Sequence, residues 1–121
     1  MHDSDLDDLK QRLRRFAAER DWDQFHSPKN LAMALAGEVG ELLEHFQWLT
    51  EAESLDLANK QNEEVALEMA DVLIYLVRMA DKLDIDLLDA CDRKLDINER
   101  KYPSGKVRGS NKKYDEYERS S

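Results

Sequence analysis

Residues 64–83 read EVALEMADVLIYLVRMADKL. At roughly 100° per residue, Val65, Met69, Val72, Leu73, Leu76 and Ala80 recur at helical spacing on one broad face, and with Leu67 and Ile74 the apolar residues reach around most of the circumference. Glu64, Glu68, Asp71 and Tyr75 break the pattern. They fall within roughly 60° of one another, between Leu67 and Ile74 on one side and Val65 and Val72 on the other. An acidic stripe therefore runs between two apolar ones, on a helix expected over about residues 60–83. A helix this apolar must be buried on more than one side, so the fold is one in which other helices pack around it.

Working outward, the neighbouring segments carry the same period. A first helix is expected after Ser4, with Leu6, Leu9, Leu13, Phe16 and Ala17 on one stripe and an end near Arg20. Residues 21–26 form a connector. Ser27 and Pro28 make an N-cap and first-turn pair, opening a second helix expected to run to about Leu49, with Thr50 beyond it. Residues 51–58 suit a short turn or helix. Asp84 or Asp86 can cap a fourth helix carrying Leu87, Leu88, Cys91 and Leu95, which Pro103 and Gly105 should end. With only 4 glycines and 2 prolines there is little material for hairpins, and the fold class is all-α. The expected organisation is a single helical domain over residues 1–105, followed by a polar, basic tail over 106–121.

The 121 residues suffice for one core and not for two. A formal net charge of -9 argues against a nucleic-acid partner, because phosphate binding needs a basic footprint. Small anionic ligands stay open if a cation mediates. Cys91 is the one cysteine, which excludes an intrachain disulfide and suits a reducing interior. The acidic start of the chain has no apolar core of a secretory signal, and the longest apolar run is interrupted at Asp71, Arg78 and Asp81, so no membrane span is expected. The chain reads as soluble and cytoplasmic.

The second helix shows the same break as the one quoted first. Leu31, Leu35, Leu42, Phe46 and Leu49 form a narrow stripe, and Glu38 lies near its middle, where a leucine belongs. Glu41 is one turn away, giving ExxE, while Glu68 and Asp71 give ExxD. Acidic residues on helices are usually solvated, and either spacing alone recurs by chance. Two such pairs, each set in an apolar face, favour a metal site. Four converging carboxylates repel one another unless a cation neutralises them. The all-oxygen set suits Mg²⁺ first and Mn²⁺ next, with waters left on the ion. Rival sites lack their residues: there is no ExxH pair for a di-iron bundle, no HExxH, and no Walker A or Rossmann glycine pattern.

Three segments, AERDWDQFHSPKNLAMALAGEVGELLEHFQW (18–48), EVALEMADVLIYL (64–76) and KLDINERKYP (94–103), together resemble the MazG-like dCTP pyrophosphatases, which are all-α nucleoside triphosphate pyrophosphohydrolases. The resemblance runs from about Phe16 to Tyr114. It implies a four-helix bundle of that type, cleavage between the α and β phosphates to give a nucleoside monophosphate and pyrophosphate, and Mg²⁺ held by Glu38, Glu41, Glu68 and Asp71. Glu41 or Glu38 is the candidate to orient the attacking water; spacing does not choose between ligand and base.

Trp22 and Trp48 match tryptophans that line the base pocket in the dCTP-preferring relatives, where stacking suits a flat pyrimidine, although a tryptophan is ordinarily core. Leu87, Cys91, Lys94, Asn98 and Tyr102 share one stripe, and the resemblance supports Lys94 and Asn98 as contacts to base or phosphate; otherwise they are a solvated helix end. Tyr75 matches a tyrosine beside the nucleotide, with a core role nearly as good. Lys106, Arg108, Lys112 and Lys113 concentrate positive charge in the tail, which either keeps the tail soluble or, if the tail folds over a triphosphate, lets Lys112 reach it. His26 reads as a turn residue and His45 as a core histidine. The excess apolar surface on residues 60–83 implies a homo-oligomer, and the resemblance suggests a dimer of dimers.

The leading expectation is a Mg²⁺-dependent enzyme acting on dCTP or a modified dCTP in nucleotide-pool housekeeping. A broad or non-canonical (d)NTP pyrophosphohydrolase is the first alternative, and a non-catalytic helical module that binds metal or nucleotide is the second.

Overall fold

The protein is described here by a computed structural model covering residues 6–109. Lys112 and the rest of the basic tail beyond residue 109 lie outside the described residues. In chain order the elements are α1 (Leu6–Glu19), a 3-10 turn (Asp23–Phe25), α2 (Pro28–Glu44), α3 (Glu51–Ser54), α4 (Asn59–Lys82), α5 (Leu87–Lys101) and α6 (Ser104–Val107). There is no strand among the described residues, as the all-α reading expects. The described residues divide into two compact units, the first ending at Ile85 and the second beginning at Asp86.

Within the first unit, α4 packs against both α2 and α1. Helices α2 and α4 run antiparallel: His26, just before α2, meets Arg78 late in α4, whereas Glu38 and Glu41 meet Glu68 nearer its start. Leu31, Val65, Val77, Ala80 and Ala17 are the buried apolar side chains among the described residues. Leu31 is 1% exposed and anchors α2 on the stripe read from the sequence.

Local chemistry explains most element ends. Ser27 Oγ accepts from the Asn30 N–H at 3.1 Å, with Pro28 in the first turn, which opens α2 where the Ser-Pro pair expects it. Thr50 and Glu53 form a reciprocal capping box on α3. Asp86 caps α5 through the Asp89 N–H at 3.0 Å. Helices α1 and α4 both end in the same way. Trp22 N–H reaches Ala17 O and Asp21 N–H reaches Ala18 O; Ile85 N–H reaches Ala80 O and Asp84 N–H reaches Asp81 O. These are Schellman closures with Asp21 (φ 54) and Asp84 (φ 55) in the left-handed position, where aspartate is among the better-tolerated non-glycine residues.

One boundary differs from expectation. Helix α2 stops at Glu44, not near Leu49. The His45 and Phe46 N–H groups bond to Leu42 and Leu43, and the Leu49 N–H to Phe46, so the chain tightens into turns over residues 45–48. The apolar period of Phe46 and Leu49 persists through that tighter winding, and both side chains remain half-buried.

Candidate metal centre

Residues 38 and 41 project from α2, and 68 and 71 from α4, so the antiparallel pairing of the two helices is what sets ExxE against ExxD. Glu38, Glu41 and Glu68 each offer a carboxylate oxygen within 4.8 Å of the others. Glu38 and Glu68 are half-buried and Glu41 is exposed. Asp71, one turn beyond Glu68, acts on Glu38 through its charge.

Two atoms define what the cluster can take. Glu38 Oε2 and Glu68 Oε2 are buried without a hydrogen-bond partner among the described residues. A buried carboxylate oxygen left unpaired carries its full desolvation cost, and native folds avoid this unless a ligand satisfies it. Desolvation first, then the contact with Glu41, the charges of Glu41 and Asp71, and the contact with Glu68, push the Glu38 carboxyl up to about 7. The donor set, oxygen only and crowded with negative charge, fits a hard divalent cation.

The residues foreseen for a nucleotide base stand as follows. Trp22 is the N-cap of the 3-10 turn and is 46% exposed. One edge of it packs on Phe16, with ring centroids 5.8 Å apart at 67°, and the Arg20 guanidinium lies 3.7 Å from the Phe16 centroid. Trp48, in the turn after α2, is 87% exposed, which core packing does not explain. Tyr75, one turn past Asp71 on α4, is half-buried. Lys94 and Asn98 lie one turn apart on α5 in the second unit, the first exposed and the second half-buried.

A sequence pattern for the MazG-like family matches residues 34–117. The chain belongs to the MazG-like family. Among its relatives, dCTP pyrophosphatase 1 of Homo sapiens is 50% identical over 113 residues, which is 92% of this chain and 66% of the relative. The Mus musculus protein of the same name is 49% identical, over 90% of this chain and 65% of its own length. The chain thus spans about 65% of the length of the curated relatives it matches. A solved structure of a pyrophosphatase from Archaeoglobus fulgidus superposes with a TM-score of 0.78 at 42% identity, covering 85% of this chain and 96% of that one. The helical fold described above is therefore a MazG-like fold.

A second charged cluster in this MazG-like chain was not foreseen. Arg78, 5% exposed, donates from Nη2 to Asp23, from Nε to His26 Nδ1 at 3.2 Å and from Nη1 to Asp81 Oδ2 at 3.3 Å. Arg14 of α1 holds both Asp81 oxygens, at 2.7 and 2.6 Å, and Lys82 Nζ donates to Asp23 at 2.6 Å. Hydrogen bonding from Lys82, with Arg78, holds the Asp23 carboxyl below its ordinary value, and hydrogen bonding from Arg14 does the same for Asp81. Desolvation and the Arg78 charge lower His26, which accepts at Nδ1 and so carries its proton on Nε2. His26 is thus more than a turn residue. The one signal for this cluster in the sequence is that Arg78 and Asp81 interrupt an apolar run.

Proposed function

We propose that this chain hydrolyses the α–β phosphoanhydride of dCTP, or of a modified dCTP, to dCMP and pyrophosphate with Mg²⁺. The observation that carries the reading is the pair of buried oxygens on Glu38 and Glu68 that no described residue satisfies, set in a chain about half identical to dCTP pyrophosphatase 1. Glu38, Glu41, Glu68 and Asp71 would hold the cation, with Mn²⁺ a substitute. When bound, it neutralises triphosphate charge and acidifies a coordinated water.

The protein's own groups prepare that site. Burial of Glu38 and Glu68 makes their oxygens unstable without a positive partner, which favours cation capture over an empty carboxylate pocket. Glu41, exposed at the rim, is the carboxylate best placed to orient an attacking water, with Glu38 the other candidate deeper in the cluster. Trp22 and Trp48 expose indole surface suited to a base, with Tyr75, Lys94, Asn98 and Lys112 as further substrate contacts. Apolar residues exposed on α2 and α4, Met33, Leu67, Met69 and Leu73 among them, support a homo-oligomer, for which the family resemblance suggests a dimer of dimers. The single thiol suits the cytoplasm, and no described helix is long and apolar enough to cross a membrane.

The test is pyrophosphate release across a panel of NTPs and dNTPs with Mg²⁺. Cytosine deoxynucleotides should lead; equal turnover of purines and pyrimidines defeats the base assignment. Loss of release in Glu68→Gln with the fold intact supports the site, and release that survives it argues for chemistry elsewhere.

A further inference from the structure

The three bonds from Arg78 fall on two different kinds of structure. Asp81 is on its own helix, one turn on. Asp23 opens the 3-10 turn that joins α1 to α2 and His26 directly follows it, more than fifty positions away in the chain. A guanidinium presents five donors in a rigid plane, so Nε and Nη2 together fix the connector in both distance and orientation while Nη1 ties the plane to its own helix. Lys82 holds the same Asp23 oxygen, and Arg14 ties Asp81 to α1, so the plane itself is braced on both sides.

What the connector carries is Trp22. Its backbone N–H closes α1 on Ala17, Asp21 before it is turned by a left-handed φ of 54, and Asp23 directly after it is the residue that Arg78 and Lys82 grip. Phe16 covers one part of the indole, and nearly half of its surface is left to solvent. Trp22 is therefore aimed from its backbone: a Schellman closure on one side and an ion-paired aspartate on the other.

We infer that Arg78, acting through Asp23 and His26, is a positioning residue that sets the Trp22 ring for base recognition, so that this ion network governs substrate affinity without touching substrate. The inference rests on the reading of Trp22 as part of the base pocket. Ordering the connector beforehand spares the entropy of fixing the indole when the nucleotide arrives, so weakening the grip appears as weaker binding, with the chemical step unchanged.

The experiment is a double-mutant cycle between Asp23→Asn and Trp22→Ala, read by KM and kcat for dCTP with Mg²⁺, with unfolding midpoints measured alongside. Asp23 is well exposed, so the substitution keeps shape and leaves Arg78 paired with Asp81. Trp22→Ala is expected to raise KM about five- to hundredfold, the range of one base–aromatic stacking contact. Asp23→Asn and Arg78→Lys should raise KM in the same direction with kcat within about twofold, and Asp23→Glu, which keeps the carboxylate, should restore it. In the Trp22→Ala background Asp23→Asn should add nothing to KM.

Independent, multiplying effects of Asp23→Asn and Trp22→Ala overturn the proposal, as does an unchanged KM in Asp23→Asn or a fall in kcat with KM held. These results leave the base-pocket reading standing if Trp22→Ala alone raises KM. A KM that is insensitive to Trp22→Ala defeats the base-pocket reading itself, and the positioning role with it.

Discussion

Glu38 has a proton to lose before it can act as a full ligand. Its carboxyl lies at about 7 against an ordinary 4.5, so the cation-free fold holds this proton through mildly acidic pH. The linkage sign follows: Glu38 contributes stability that is fully present below about 4.5 and is lost as pH rises through about 7. The chelator-treated protein should therefore lose stability over that window, by urea midpoint at pH 5 and pH 8, and Glu38→Gln should flatten the loss. The same substitution should weaken Mg²⁺ binding tenfold or more, a size that even outer-shell changes reach. Cation binding should release a proton near pH 7, visible by calorimetry in two buffers of different ionisation enthalpy. Asp23, Asp81 and His26 work in the other direction. Both aspartates are depressed, so their contribution is present above the ordinary carboxylate value and lost as pH falls through their folded values. His26 is also depressed, and it loses its contribution as pH falls below 6.5, where the unfolded imidazole takes up a proton first.

At the scale of elements, α2 and α4 carry both the core and the site, so changes on their shared face should separate cleanly into two classes. Leu31→Ala leaves a cavity under α2 and should cost about 2–5 kcal/mol by denaturant unfolding, since Leu31 is sealed from solvent. At the end of α4, Asp84→Gly should be tolerated, whereas Asp84→Val should cost about 1 kcal/mol or more, because a β-branched residue resists the left-handed backbone. The start of α2 at Ser27 and Pro28 and the start of α5 at Asp86 were legible in the sequence because a cap is a local signal, read over three or four residues. The end of α2 was not, because Phe46 and Leu49 keep the helical period while their N–H groups contract into tighter turns. The acidic centre was legible for a different reason: Glu38 and Glu68 stand where apolar side chains belong, and periodicity records that misfit. For the grip of Arg78 on Asp23 and His26 periodicity records only that Arg78 interrupts an apolar run; it does not name the partners, which lie beyond any local period and meet Arg78 only through the antiparallel pairing of α2 with α4.

Across the whole molecule, five small or medium apolar side chains make up the buried core among the described residues, while Met33, Leu67, Met69 and Leu73 lie between 41% and 64% exposed. That balance is unusual for a chain that stands alone. Light scattering after size exclusion should return a multiple of 14.1 kDa, and Leu73→Lys, which puts a charge into the exposed face of α4, should lower the mass of the assembly. A monomer for the unaltered protein would reject the homo-oligomer. The shallow core has a further consequence in mass action. If partner chains supply much of the burial, the folded state is stabilised by its own concentration, and the melting temperature should climb with each tenfold increase in protein. The amount synthesised would then set more than the number of active sites: below a threshold of expression the chain would be open to proteolysis, and above it resistant, so that abundance itself becomes a control on activity.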